Sequence, residues 1–531
     1  MAVWKTLSVA TLLALSSYAL PDGLWPKLPV PPPASVETFT TDVNGQALPP
    51  LDTVYTFNQL VDHTNTRSGT FKQRYWHTWE YYKPGGPIII FMPGESNADG
   101  YYSFLTNQMI PGMIAQQEHG ATIVLEHRFF GLSNPKPDLT VASLKLHTIQ
   151  QAIDDLEYFT KNVKLAMPGG DKVKPGQAPW ILIGGSYSGA LVSWTMVNKP
   201  GLFAAGYASS AVVQAISDFW RFWEPVRENM PKNCSADVQA ATAFIDQVLG
   251  SGNTQNISSL KTSFGLSVLS HHDDFVNAIR YPLITWQGLA PSTGPGGDFY
   301  KFCDALELKN GVSAPEGGWG ADQAVKNWAT YYSKTYLPNT CDSPSCFDTY
   351  NPKSDVYTYT GIDYANRSWM WFVCNELGFF RESAPAGSPS LMSRLLKPAF
   401  DERQCQYFFP AAFATAPKVN VDKTNTKYKG WNVSVDHIFF ASGRRDPWRE
   451  STISASILNV PSTSKQRIML NNGFHCSDLY SWEADYDPTI KATHVQALAD
   501  MKMWLAEYRQ KNGITLSTRD DEVGGGRSPK R

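Results

Sequence analysis

The chain has 531 residues, 42% hydrophobic and 13% aromatic, which is ample for burial and far from a disordered composition. Its 46 basic and 48 acidic residues leave a net charge of −2, with no basic surplus to attract a polyanion, so nucleic acid is not an expected partner. The length exceeds one ordinary core and favours a large domain that carries a sizeable insertion.

The first 19 residues read as an export signal. Lys5 supplies the positive start, Leu7 to Leu15 a short apolar run, and Ser17 and Ala19 the small residues that place cleavage after Ala19. That run is too short to cross a bilayer, and no later stretch reaches about 18 consecutive apolar residues, so no stable membrane anchor is expected. Residues 20–45 are proline-rich (Pro21, Pro26, Pro29, Pro31, Pro32, Pro33) and read as an extended linker or propeptide. Strand and helix signals alternate through 46–215, which reads as the first piece of a βα core. Ile88-Ile89-Ile90-Phe91-Met92 and Ala121-Thr122-Ile123-Val124-Leu125 have the continuous apolar character of buried parallel strands. Leu146, Ile149, Ile153, Leu156 and Val163 recur at helical spacing, and Trp180-Ile181-Leu182-Ile183 is the next strand. A further apolar run spans Phe203 to Val213, after which strand signals fade. Residues 216–429 are rich in Trp, Tyr and loop residues and hold six of the seven cysteines, as an inserted cap would. Strands return at Ile438-Phe439-Phe440 and Arg467-Ile468-Met469-Leu470, and a helix from about Ala492 to Tyr508 closes a second core piece, 430–515. Residues 516–531, with Gly524-Gly525-Gly526 and a basic finish, read as a disordered tail with no lipid-anchor signal.

Trp180 to Ile183 runs straight into Gly184-Gly185-Ser186-Tyr187-Ser188-Gly189 and then a helical pattern. Strand, Gly-x-Ser and helix together form a nucleophile elbow, in which a strained turn lifts the serine hydroxyl above the sheet. Ser188 stands where glycine is usual, a small departure. A serine needs a base to take its proton, and in this architecture an acid and then a histidine follow it, each just after a strand. Asp446 (in Gly443-Arg444-Arg445-Asp446-Pro447-Trp448) and His475 (in Asn472-Gly473-Phe474-His475-Cys476) stand there. Only His475 and His494 follow His437 among the ten histidines, and His494 falls inside the closing helix pattern. The expected fold is therefore an α/β-hydrolase with a large inserted cap. The oxyanion donors would be the backbone N–H groups of Tyr187 and, in the turn Pro93-Gly94-Glu95, of Glu95.

Other clusters carry blander readings. Adjacent residues in His271-His272-Asp273-Asp274 cannot all face one ion on a regular element, so a solvated helix start is the better reading. Glu126-His127-Arg128 reads as a buried salt-bridge network that holds loops. Four Asn-x-Ser sequons begin at Asn233, Asn256, Asn366 and Asn432, where glycans are expected on an exported chain. Seven cysteines fit an oxidising compartment, and none shows the spacing of a zinc site. The expected pairs are Cys374–Cys405, Cys341–Cys346 and Cys234–Cys303, with Cys476 free. A secreted protein is the expectation, with a vacuolar or lysosomal address as the alternative. No metal or cofactor is called for, the expected partners are peptide or protein substrates, and nothing fixes an oligomeric state.

At Gly-Gly-Ser186-Tyr-Ser-Gly, Asp446-Pro-Trp and His475-Cys-Ser-Asp the chain resembles one serine peptidase family. It groups lysosomal Pro-X carboxypeptidase, dipeptidyl peptidase II and the fungal acid prolyl endoproteases. Thr70-Phe-Lys-Gln-Arg-Tyr-Trp76, Glu126-His-Arg-Phe-Phe-Gly131 and Trp369-Met-Trp-Phe-Val-Cys-Asn-Glu376 strengthen the likeness, and Met92-Pro-Gly-Glu95, Ser188 and Cys476 resemble the fungal branch most. The resemblance implies a mainly helical cap, cleavage after proline, and a proline pocket at Trp448, with Phe379 and Trp371. It also implies activity at acid pH, although Asp446 should raise the pKa of His475 unless burial lowers it again. An endopeptidase is the leading reading. An exopeptidase, a lipase or esterase, and an inactive hydrolase fold serving as a binding protein are the alternatives.

Overall fold

The structure, a computed structural model, describes residues 40–517. The export signal with its cleavage point, residues 20–39 of the proline-rich segment and the tail from Thr518 lie outside the described residues. An eight-stranded sheet forms the centre: β1 (Tyr55–Leu60), β2 (Thr70–Thr78), β3 (Ile88–Met92), β4 (Ala121–Leu125), β5 (Trp180–Gly185), β6 (Ala205–Ser209), β7 (Ile438–Gly443) and β8 (Gln466–Asn471). Their order is β1-β2-β4-β3-β5-β6-β7-β8; β1 and β2 run antiparallel and the pairs from β4 to β8 are parallel. This is the α/β-hydrolase sheet.

The strands from β3 to β7 are buried throughout because helices cover both faces. Ile89, Phe91, Ile181 and Ile183 point to one face, where α1 (Ile110–Glu118) and the closing helix pack. Ile88, Ile90 and Leu182 point to the other, against α2 (Ile149–Asn162) and α3 (Ser186–Asn198). The closing helix, α4 (Pro488–Asn512), starts on the Asp487 side chain, which accepts from Thr489 N, and stops at Gly513 in a left-handed cap (φ 64). The sequence pattern misses β1 and β2 as strands. β1 buries few side chains and β2 is interrupted by polar Gln73, Arg74 and His77, whose partners lie far along the chain.

Between β6 and β7 the chain adds no strand to this sheet. The helices Lys232–Gly250, Asp298–Glu307 and Ala321–Tyr331 gather there, and their apolar faces join the core on the α2–α3 side of the sheet. Two short strand pairs, Ile216–Asp218 with Gly378–Phe380 and Leu308–Lys309 with Val312–Ser313, also lie in this segment. The disulfides are Cys234–Cys303, Cys341–Cys346 and Cys374–Cys405, and Cys476 is a buried free thiol. The expected pairing is the one found. Among the described residues no helix is long and apolar enough to cross a membrane.

A buried guanidinium ties β1 to α2. Arg128 is 0% exposed; it donates to both carboxylate oxygens of Asp155 on α2 (2.6 and 2.5 Å) and to the carbonyls of Leu60 and Leu146. Replacing Arg128 with leucine would leave Asp155 buried with His63 as its one ionic partner. The expected cost is about 3–5 kcal/mol of stability, read from urea unfolding.

Candidate active site

β5 ends at Gly185 and α3 begins at Ser186 with no residue between them. Ser186 takes φ 58, a left-handed conformation that costs a side-chain-bearing residue about 1–3 kcal/mol. Its neighbours explain why the turn can be so tight. A Cβ on Gly184 would lie 2.4 Å from the Ser188 carbonyl oxygen, and one on Gly189 would lie 2.5 Å from that of Ser209. Ser188 does more than fit: its Oγ accepts from Gly185 N (3.1 Å) and donates to Gly185 O (2.8 Å), closing the turn.

Tyr187 is the second residue of α3, so its N–H has no carbonyl one turn back to receive it. The loop after β3 lies against the same turn, because a Cβ on Gly94 (φ 78) would sit 3.3 Å from Ser188 Cβ. Glu95 follows in that loop, and Glu126 anchors its far end by accepting from Ala98 N (3.0 Å).

Asp446 and His475 follow β7 and β8, on the same carboxyl edge of the sheet as Ser186. His475 Nδ1 lies 2.9 Å from Asp446 Oδ1, which also accepts from Trp448 N (2.8 Å), and both side chains are buried. Ser186 Oγ and His475 Nε2 are buried as well, and neither has a hydrogen-bond partner among the described residues. Ser210, which the sequence did not single out, and Cys476, expected there as a free thiol, brace the histidine. Ser210, just past β6 at φ 44, accepts through Oγ from Cys476 N (2.9 Å), and Cys476 itself stands at φ 58. A cluster of left-handed residues at neighbouring strand ends has no sequence signal, since none of them is glycine.

Trp448 is 0% exposed, with its ring 6.3 Å from that of His475. Phe379, Phe219 and Phe222 surround it at 5.3, 5.5 and 5.1 Å between ring centroids. The structure thus brings Phe379 to Trp448, whereas Trp371 packs on Phe409 at 5.0 Å. Sequence reasoning missed Phe219 and Phe222; the aromatic run Phe219-Trp220-Arg221-Phe222-Trp223 was the available signal.

The remaining candidates fall elsewhere. Glu126 pairs with Arg74 (2.6 Å), Arg128 with Asp155, and His127 Nε2 meets the Tyr187 hydroxyl at 3.0 Å, so that motif is a network beneath the elbow. His271 to Asp274 do begin a helix, but Asp274 is buried rather than solvated and accepts from Thr349 N and Oγ1. His494 lies on α4 and bonds the Asp478 carbonyl (2.7 Å). Asn256 and Asn432 are exposed and Asn233 is half-buried. Asn366 keeps its Oδ1 buried.

Two neighbours act on the histidine in opposition to its burial. Burial favours the neutral ring, but the Asp446 carboxylate and the Cys476 thiol outweigh it and hold the His475 pKa well above the ordinary value. Burial pushes the Cys476 thiol up in turn, so the sulfur stays protonated in acid. Burial alone therefore does not restore a neutral His475 at acid pH. Beneath the elbow, burial lowers His127 to about 4. As a neutral ring it can donate from Nδ1 to the Arg128 carbonyl (2.7 Å) and accept from Tyr187.

The sequence profile of the family described as Serine carboxypeptidase S28 matches residues 59–496. Serine protease vicPa of Bipolaris victoriae is 32% identical, over 93% of this chain and 95% of its own. A protein named probable extracellular serine carboxypeptidase, from Arthroderma benhamiae, is 30% identical over 89% of this chain and 70% of its own. The thymus-specific serine protease of Homo sapiens is 25% identical over 84% and 85%.

The Cys476 contact has a measurable consequence. In Cys476→Ala the His475 imidazole is expected to titrate at lower pH than in the wild type, because a neighbour that raises its proton affinity is gone. NMR of the imidazole protons across pH checks this; an unchanged titration would remove Cys476 from the electrostatics of the site.

Proposed function

The chain belongs to the serine carboxypeptidase S28 family and is a serine peptidase; from that premise we propose a secreted enzyme that hydrolyses peptide bonds on the carboxyl side of proline, cutting within chains. The observation that carries the catalytic assignment is the strained Ser186 on the same sheet edge as the buried Asp446–His475 pair. In this reading His475 Nε2 takes the proton of Ser186 as Oγ attacks the scissile carbonyl, and returns it to the departing amine. Asp446, on Nδ1, keeps the ring in the working tautomer and stabilises the imidazolium. The N–H groups of Tyr187 and Glu95 would receive the oxyanion, and water would then release the acyl group from Ser186.

Preference for proline rests on the aromatic box of Trp448, Phe379, Phe219 and Phe222 beside His475, because a proline ring is apolar and suits aromatic faces. Export is supported by three disulfides and by a relative whose name places it outside the cell. A second reading, removal of residues from the carboxyl end, is favoured by the family's description and by that same relative's name.

The acid range rests on survival rather than on the histidine. Burial raises the carboxyls of Asp274 to about 6, Glu376 to about 7, Glu307 to about 8 and Glu382 to about 10, and it also raises Asp401 and Asp478. Each binds a proton more tightly folded than unfolded. Its contribution is therefore complete below pH about 4 and is lost as pH rises through the folded value. The neutral buried rings of His77, His127 and His147 act oppositely, but only below about 6.5.

Two outcomes are expected. Ser186→Ala should lower hydrolysis by roughly 10^4-fold or more, and fragments of a digested protein mixture should end in proline at internal sites. Product lists showing only terminal residues removed would favour the second reading, and no preference for proline would sink the specificity. Stability should fall as pH rises from about 6.5 to 8 while kcat/KM in short assays rises as His475 loses its proton. Thermal unfolding and initial rates measured across pH separate the two.

A further inference from the structure

We propose that the cap binds a small monovalent anion, a halide or a carboxylate group, against the guanidinium of Arg280. Arg280 follows the helix His272–Ile279 and lines a cavity of about 20 Å3 together with Asn277, Tyr281, Asn366, Arg381 and Gln404. That is room for one water-sized body, which suits a single compact anion and excludes a peptide.

Arg280 is 5% exposed, and its hydrogen bonding is incomplete. Nη1 donates to the Arg381 carbonyl (2.8 Å), while Nε has no hydrogen-bond partner, and no carboxylate lies within ion-pair distance among the described residues. The other buried arginines are treated differently. Arg128, Arg74 and Arg449 each face a carboxylate, and Arg367 donates to the three carbonyls of Leu139, Tyr357 and Phe408. A buried cation without a counter-charge costs several kcal/mol, so a site of this kind recruits one.

The surrounding charges do not supply it. Arg381, 2% exposed, adds a second guanidinium on the cavity wall. Asp401 is the acidic side chain on that wall, and burial raises its pKa despite the nearby Arg280, Arg381 and Arg403. Glu382 lies close in charge to Arg280 and is pushed up to about 10 by burial, so it is a neutral acid in the working range. Glu402 acts on Asp401 and Glu382, and Asp218 on Glu382, as like charges that raise them further. On the cavity wall Asp401 is thus the acidic side chain nearest to hand, and it is not within ion-pair distance of Arg280 among the described residues. The Tyr281 hydroxyl and the amides of Asn277 and Asn366, whose Oδ1 atoms are unpartnered, can turn N–H or O–H toward an anion.

The site is one ring removed from the catalytic edge. Phe379 forms part of the cavity wall and also meets Trp448 edge-on, and the Trp448 backbone N–H bonds Asp446 Oδ1. A bound anion would stiffen that wall.

The test uses the intact protein at pH 5 and constant ionic strength, with chloride or bromide replacing gluconate. The expected result is a saturable rise of about 2 °C or more in Tm with halide, absent in Arg280→Gln. A rise with formate that competes with bromide supports the site and identifies a carboxylate as the occupant. Equal Tm in all anions, or a halide response that persists in Arg280→Gln, overturns the proposal. Should that variant fail to fold, anomalous scattering from bromide-soaked wild-type crystals decides: a peak beside the Arg280 guanidinium supports the site, and no peak there overturns it.

Discussion

The turn between β5 and α3 imposes the constraint on which the rest of the site depends. A chain that passes from strand to helix without a spacer must place one residue at positive φ, and here that residue is Ser186. Nothing local makes this favourable, so the surroundings must hold it. Gly184 and Gly189 let backbone approach backbone, and the Ser188 hydroxyl bridges both polar groups of Gly185. The hydroxyl at position 188 therefore replaces the usual glycine with a hydrogen-bonded clamp rather than a tolerated bulk.

Long-range polar contacts extend that constraint into the core. The ring of Tyr187, next to the strained serine, meets His127 below and packs on Trp369 and Phe372 from the cap. Glu126 fixes the loop after β3, and Arg128 fixes the start of the sheet to α2. Three consecutive residues after β4 thus hold three different parts of the framework. Buried ion pairs of this kind add little net stability over apolar packing, yet they define geometry because each broken pair leaves a stranded charge.

The electrostatics of the inserted segment and of the Asp446–His475 pair have different origins. Asp446 Oδ1 bonds the His475 ring, and the carboxylate raises the proton affinity of that ring. The cap buries carboxyls such as Glu307 and Glu376 that prefer to be neutral, which favours the folded state in acid. The proton affinity of His475 and that of the buried carboxyls are thereby set by different groups, in different parts of the fold.

The α/β sheet, the elbow and the order of serine, aspartate and histidine were legible in the sequence because each is local: an apolar run, a glycine-rich turn, a residue just past a strand. The disulfide pairing also agreed with expectation, although spacing alone could not select it. Strands β1 and β2 escaped because their inward residues are polar and find partners such as Asp155 and Glu126 far along the chain. Phe219, Phe222 and Ser210 acquired their positions around Trp448 and His475 only when segments distant in sequence converged. Trp371 and Phe379 looked equivalent as aromatic residues of one cap, and only packing sent one to Phe409 and the other to Trp448. Sequence determines what a short stretch of backbone prefers to be. Which side chains share a buried space, and hence which charges are compensated, is decided by tertiary structure, because burial and proximity are properties of the whole fold.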